Sequence, residues 1–199
     1  MDKNKFYIKY IFDFILALLG FIITSPIILI SFIIAFIETG ENGFFIQKRV
    51  GKNGELFKVI KLKTMKSNSK YKTNVTTKKD PRITSSGRFF RKTKIDELPQ
   101  LINILKGEMS FVGPRPDVPE IINTMDEKDK EIILSVRPGI TGPASIKYKN
   151  EEEILANKEN PEEYNKEVIF PDKVKINKEY IRNYSLTKDI YYIIKTIFS

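Results

Sequence analysis

The longest pattern in the chain is apolar: Phe14 to Ile37 runs FILALLGFIITSPIILISFIIAFI, 24 residues without a charge. That length suffices for a membrane helix. It exceeds the apolar core of a secretory signal, and no small-residue cleavage site follows, so the segment is expected to be retained. Two courses are open to it. One is a single spanning helix. The other is a re-entrant helix-break-helix turning at Ser25-Pro26, the midpoint of the run. Proline removes one backbone hydrogen bond and kinks a helix, and the Ser25 hydroxyl can satisfy a carbonyl so freed, as lipid requires. Each half of about 12 residues makes roughly 18 Å of helix, enough to reach the bilayer centre and return. Lys3, Lys5 and Lys9 precede the run; Lys48, Arg49 and Lys52 follow it. Positive charge on both flanks gives a spanning helix no orientation, but suits a hairpin with both ends cytoplasmic.

Beyond the run the pattern shortens. Phe44–Val50 and Leu56–Leu62 read as strands around Asn53-Gly54, a pair that accepts the positive φ of a hairpin turn. Lys66–Asp80 is basic and poor in apolar residues, an exposed loop. From Asp96 to Leu105, Leu98, Leu101, Ile102 and Leu105 follow the i, i+3, i+4, i+7 spacing of a helix, with Asp96 as N-cap and Lys106-Gly107 closing it. Phe111–Pro119 carries three prolines and a glycine and is expected to be an irregular loop. One or two helices should fill Val118–Val136, stopped by Pro138-Gly139. Glu151–Glu153 and the mixed charges to Lys166 read as a solvated face. In Ser185–Phe198, Leu186, Ile190, Ile193, Ile194 and Ile197 form one stripe bordered by Tyr191, Tyr192 and Lys195. Such a helix either completes a core or lies in a membrane interface.

The expected fold class is α+β: a re-entrant membrane segment at 1–40, then one cytoplasmic unit at 41–199. That unit is small and mostly helical, with a β-hairpin and interfacial amphipathic helices. Composition narrows the chemistry. Cys and His are both absent, which excludes disulfides, thiol catalysis, a His base and most zinc sites. The formal net charge of +9 favours anionic partners.

Asp96-Glu97 is the most suggestive pair. Arg88, Arg91, Lys92 and Lys94 precede it, and a helix N-terminus favours anions. Adjacent helical residues diverge by about 100°, so the two acids suit separate tasks, one attacking and one holding a cation; carboxylates are established nucleophiles toward phosphoryl groups. The plainer alternative is a capping Asp followed by a dipole-compatible Glu. Arg115, between Pro114 and Pro116, and Arg137, before Pro138-Gly139, present guanidinium forks suited to phosphate. Either could equally pair a surface acid.

In order along the chain, Lys48-Arg49-Val50-Gly51, Lys61-Leu62-Lys63-Thr64-Met65, Asp80-Pro81-Arg82-Ile83-Thr84, Gly87-Arg88-Phe89 with Arg91, Asp96-Glu97-Leu98-Pro99-Gln100-Leu101 with Asn103, Lys106 through Pro116, and Arg137 through Gly142 resemble the motifs of the monotopic phosphoglycosyl transferases, or bacterial sugar transferases. The resemblance runs from the apolar segment to the C-terminus. It implies transfer of a sugar-1-phosphate from a UDP-sugar, N-acetylated by preference, to polyprenyl (undecaprenyl) phosphate, releasing UMP. By position Asp96 is the implied nucleophile, forming a covalent phosphosugar, and Glu97 the implied Mg²⁺ ligand. Arg91, Arg115, Arg137, Lys61 and Pro114 make up the implied substrate-binding set. Ser25-Pro26 then marks the break of a re-entrant helix.

The implied location is the cytoplasmic face of a bacterial inner membrane, in contact with its lipids, at the first membrane step of a surface glycan pathway and upstream of further glycosyltransferases. After Gly142 the chain departs from the commonest family pattern. Pro143–Asn150 and the acidic Glu151–Glu153 stand where many members have Trp and then Gly-Arg-Asn, which leaves the sugar undefined. Two rival readings remain. A nucleic-acid binder is disfavoured by the apolar run and by the lack of a nucleic-acid motif. A non-catalytic nucleotide-sugar scaffold is disfavoured by the intact Asp96-Glu97 pair.

Overall fold

The structure is a computed structural model that describes residues 3–67 and 80–198; most of the loop expected at Lys66–Asp80 lies outside them. Its first element, α1, is Lys3–Thr39. A hairpin, β1 (Phe44–Val50) and β2 (Leu56–Leu62), leads to α2 (Ser85–Thr93), a 3-10 turn at Ile95–Glu97, and α3 (Gln100–Leu105). Next come β3 (Ser110–Val112), α4 (Pro119–Ile122), α5 (Glu127–Ile133) and β4 (Gly139–Thr141). The chain finishes with α6 (Pro143–Lys147), α7 (Glu151–Ala156), α8 (Pro161–Tyr164), α9 (Phe170–Arg182) and α10 (Leu186–Ile197). This is the expected mixture of helix and sheet.

The break expected at Ser25-Pro26 does not interrupt the helix: the backbone of α1 is helical from Lys3 through Pro26 to Thr39. Proline cannot donate to the carbonyl four residues earlier, that of Ile22. The Ser25 hydroxyl donates to that same carbonyl at 3.0 Å, so the anticipated repair is in place. By length and composition Phe6–Thr39 can cross a membrane, and most of its apolar side chains, Ile22, Ile23, Leu29 and Ile37 among them, are exposed. Small residues seat its inner face: Ala17 packs with Phe57, Val59, Leu101, Ile104 and Met109, and Ala35 with Leu62 and Phe90. Phe6 joins a third cluster built from Val112, Ile133, Val136, Val174, Tyr180 and Ile181.

Lys9 corrects the charge reading of the N-terminal flank. It is buried and donates to Asp189 at 2.5 Å, with Asp13 at 3.8 Å. Ser110 Oγ donates to Asp13 and Tyr180 OH to Asp189, each at 2.6 Å. This cation therefore belongs to the interior, because two carboxylates from α1 and α10 enclose it.

The hairpin forms in the register Phe44↔Leu62 to Val50↔Leu56, with Asn53 at φ 57° and Gly54 at φ 81° in its turn. The second sheet was not anticipated. β3 and β4 pair in parallel, so the expected irregular loop from Phe111 begins inside a strand. Gly113 and Gly139 make that pairing possible: a Cβ on Gly113 would lie 2.7 Å from Arg137 O, and one on Gly139 would lie 2.1 Å from Gly113 N.

The C-terminal helix appears as expected, capped by Ser185, but its apolar stripe divides. Asp189, Tyr192 and Ile193 face the protein, while Ile190, Ile194 and Ile197 are exposed. Asp80, expected in an exposed loop, is buried and accepts from Arg82 at 2.7 Å.

Candidate active site

Three devices place the acidic pair. Along β2, Phe57 and Val59 point inward, and Lys61 continues that every-second-residue row to the rim of the core. Asn103, fully buried on α3, locks the helix to this strand: its Oδ1 accepts from Ile60 N at 3.1 Å, and its Nδ2 donates to Lys58 O at 2.8 Å. Lys94 then closes α2 in the left-handed region at φ 60°, a conformation that costs about 1 kcal/mol or more in a non-glycine residue. This turn directs Asp96 and Glu97 back toward Lys61.

Asp96 is not the helix N-cap. The chain passes through a 3-10 turn at Ile95–Glu97, with Leu98 N donating to Ile95 O and Leu101 N to Leu98 O, and regular helix begins only at Gln100. Pro99, which has no N–H, separates the two. Asp96 Oδ1 is buried without a hydrogen-bond partner among the described residues. The carboxylate caps nothing, so the plain structural alternative lacks its defining bond.

Glu97 has the opposite environment. Its Oε1 accepts from Lys61 Nζ at 2.7 Å and from Arg115 Nη2 at 3.3 Å. Arg115 reaches it from the loop after β3. That loop is fixed by Gly139 N donating to Pro114 O at 2.8 Å, and by Arg49 donating to Pro116 O at 3.1 Å. Two sequence motifs, Gly113–Pro116 and Arg137–Gly139, thus meet to present one guanidinium.

The electrostatics separate the two acids. Burial, reinforced by the charge of Glu97, pushes Asp96 up to about 6 against the pull of Lys61, Lys94 and Arg91. Burial also acts to raise Glu97, but Lys61, Arg115 and Lys94 outweigh it and hold this carboxyl well below the usual range. Lys61 is itself pushed down, by burial and then by Arg115, against the pull of Glu97. One carboxylate is therefore permanently ionised and tethered, while its neighbour is poorly solvated and unbonded. Two carboxylates held in such different states suit different chemical tasks.

The remaining expected site residues are distributed around this centre. Arg91, on α2, donates to Met65 Sδ at 3.6 Å and to the carboxylate of Glu152. Pro114 contributes its carbonyl to the β3–β4 junction. Arg137 stacks 3.9 Å over the ring of Tyr10 and lies beside Gly107, bonded to neither Asp96 nor Glu97. The acidic run corrects the sequence reading. Glu151 binds Lys173 at 2.6 Å and Glu152 binds Arg91, so these acids are tied to partners rather than merely solvated. Nothing periodic in the sequence marks them.

Magnesium requires hard oxygen ligands, commonly one or two carboxylates completed by substrate phosphates and water. Glu97 Oε2 carries no hydrogen bond among the described residues, which leaves one carboxylate oxygen for a cation. No cluster of three or more His, Cys, Asp or Glu occurs among them. The donor set fits Mg²⁺ shared with a diphosphate and does not fit a self-sufficient metal cage.

The family model for "bacterial sugar transferase" matches residues 4–199. The exopolysaccharide production protein ExoY of Sinorhizobium fredii is 35% identical over 205 residues, covering 95% of this chain and 83% of that protein. The UDP-glucose:undecaprenyl-phosphate glucose-1-phosphate transferase of Escherichia coli is 34% identical over 195 residues, 94% of this chain but 38% of that protein. The UDP-N-acetylgalactosamine-undecaprenyl-phosphate N-acetylgalactosaminephosphotransferase of Aeromonas hydrophila is 32% identical over 199 residues, 96% of this chain and 43% of that protein. The chain thus spans most of the first relative and less than half of the other two. With the family model spanning nearly the whole chain and the acidic pair seated among Lys61, Arg91 and Arg115, this protein belongs to the bacterial sugar transferase family.

Proposed function

We propose that the protein transfers a sugar-1-phosphate from a UDP-sugar to undecaprenyl phosphate through a covalent intermediate on Asp96. The observation that carries the reading is Asp96 Oδ1, a buried carboxylate oxygen with no hydrogen-bond partner among the described residues, next to a Glu97 held by two cations. An ionised carboxylate without hydrogen-bond donors retains its lone pairs for attack. In the first step a carboxylate oxygen of Asp96 bonds to the β-phosphorus, the bond from that phosphorus to the bridging oxygen breaks, and UMP leaves with the electron pair. In the second, an oxygen of undecaprenyl phosphate bonds to the same phosphorus and the aspartyl oxygen departs as carboxylate, giving the undecaprenyl diphosphate sugar. Arg91 and Arg115 hold phosphate oxygens and compensate charge; Lys61 keeps Glu97 ionised and oriented. Glu97 would hold Mg²⁺ together with the substrate, and the ion would neutralise diphosphate charge.

The membrane arrangement follows the same reading. We take α1 as re-entrant from the cytoplasmic face of the inner membrane. Supporting this, both ends of α1 touch the one folded unit: Phe6 packs in its core, and Glu38 accepts from Ser86 N at 3.1 Å. A straight helix between those residues would extend about 48 Å, beyond the ~39 Å breadth expected of a compact unit of this size. The exposed Ile190, Ile194 and Ile197 of α10 then rest against lipid. Such a course brings a lipid phosphate and a soluble nucleotide to one site, as the first membrane step of a surface glycan requires; later glycosyltransferases would extend the product. The relatives' names specify glucose in one case and N-acetylgalactosamine in another, and an N-acetylated donor is the first choice to test.

The test is UMP release by purified protein with Mg²⁺ and undecaprenyl phosphate across a panel of UDP-sugars, beside Asp96→Asn. Release from one or two sugars, lost in the variant, supports the reading. Equal release from both proteins removes Asp96 as nucleophile. UDP binding without turnover of any sugar would favour a scaffold.

A further inference from the structure

Arg91 has a partner that the proposed reaction leaves unused. Its guanidinium is close enough to Asp96 to lower that residue's proton affinity, and its Nη2 is occupied by Glu152, 61 residues away on α7. A carboxylate on a guanidinium fork has the same charge sign and acceptor geometry as a phosphate oxygen.

The surroundings of Glu152 suit an exchangeable occupant. The flanking chain is anchored elsewhere, on α9: Lys147 Nζ and Tyr148 OH donate to Asp172 at 2.6 and 2.7 Å, Lys173 holds Glu151, and Leu155 is buried. Glu152 reaches out from this anchored base. Its side chain is 40% exposed and that of Arg91 25%, against 11% for Glu97. An ion pair this open to water contributes little, whereas the Glu97 carboxylate is itself sheltered and paired twice, with Lys61 partly buried and Arg115 exposed. Of the two carboxylates that meet substrate-binding cations, only that of Glu152 can be displaced at small cost.

We propose that Glu152 is a further residue of the donor site, a placeholder carboxylate that occupies Arg91 until the diphosphate of the nucleotide displaces it. The proposal rests on the reading of Arg91 as a phosphate ligand. Displacement frees α7 from α2 when nucleotide binds, and couples donor occupancy to the position of the Glu151–Ala156 segment. The strength of the placeholder subtracts directly from donor affinity, so residue 152 tunes affinity without touching the reacting atoms.

The experiment is UDP binding by calorimetry on the full chain in detergent, together with amide hydrogen exchange of residues 151–156, for wild type, Glu152→Gln and Arg91→Gln. For Glu152→Gln the expected result is a two- to fivefold lower Kd for UDP, roughly the value of an exposed pair. UDP should speed exchange at 151–156 in wild type, while the variant should exchange fast with or without UDP. A higher or unchanged Kd in Glu152→Gln would overturn the proposal, as would slower exchange on adding UDP, since Glu152 would then only hold Arg91 in place. Arg91→Gln separates the two readings. If it loses UDP affinity while Glu152→Gln gains none, the placeholder alone fails. If it binds UDP as wild type does, the assignment of Arg91 to phosphate fails first.

Discussion

Lys9 and Asp189, 180 residues apart, meet at 2.5 Å in the interior and join the first helix to the last. Asp13 shares the cation and is itself held by Ser110. Removing one partner of a buried pair strands the other's charge, at about 3–5 kcal/mol. Lys9→Met should therefore lower the unfolding midpoint of the detergent-solubilised protein sharply, and adding Asp189→Leu should recover much of the loss. A single variant as stable as wild type would show that the network contributes no stability.

Asp96 should cost the fold stability at neutral and alkaline pH. Its folded pKa, about 6, lies above the roughly 3.9 of an unfolded Asp. The folded state therefore binds this proton more tightly. The resulting stabilisation is present below about pH 4 and is lost as pH rises through about 6. Asp96→Asn should raise stability at pH 8 by about 1–3 kcal/mol while eliminating turnover. Denaturant unfolding at pH 5 and pH 8 checks this; an equal effect at both would contradict it.

The same titration should appear in catalysis with the opposite sense. With Asp96 as the proposed nucleophile only its ionised form would attack, so kcat/KM should decline as pH falls through about 6, approaching about tenfold per unit below it. Glu97, held well below the usual carboxylate range by Lys61 and Arg115, should add no limb between pH 5 and 8. Lys61→Met removes one of those cations, and a second acid limb should then move upward toward that window. A profile flat from pH 5 to 8 in wild type would remove Asp96 as the titrating nucleophile.

Gly113→Ala should reduce activity more than its size suggests. The added Cβ meets Arg137 O at 2.7 Å and Gly139 N at 3.0 Å, so the β3–β4 junction must open, at a cost of about 1–3 kcal/mol. Arg115 sits two residues beyond and would lose its position on Glu97. A rise in KM for the UDP-sugar with Lys61–Glu97 intact is expected, measurable by steady-state kinetics beside thermal unfolding. Wild-type kinetics would show that the junction does not position Arg115.

What could be read from the sequence has a local cause. The apolar run defined α1, Asn53-Gly54 defined the hairpin turn, and the 3.6-residue spacing of isoleucines defined α10, because each signal is complete within a few turns of backbone. The Ser25 repair of the Ile22 carbonyl was legible for the same reason: donor and acceptor are three residues apart. The basic residues before Asp96 and Glu97 singled the pair out and the resemblance assigned each a role, while the helical pattern also gave Asp96 a capping role that the 3-10 turn does not provide.

Only the tertiary structure decided which charges meet. Lys9 joined Asp189 across the whole chain, Arg91 took Glu152 from a run that read as solvated surface, and Arg137 settled on Tyr10 while Arg115 reached Glu97. Ion pairs between distant segments carry no periodicity. Their partners are selected by the packing of apolar faces such as Ala17 on Leu101 and by the close approach of Gly113 and Gly139. A charge pattern read along the chain counts cations and carboxylates, and the fold determines which of them lose water together.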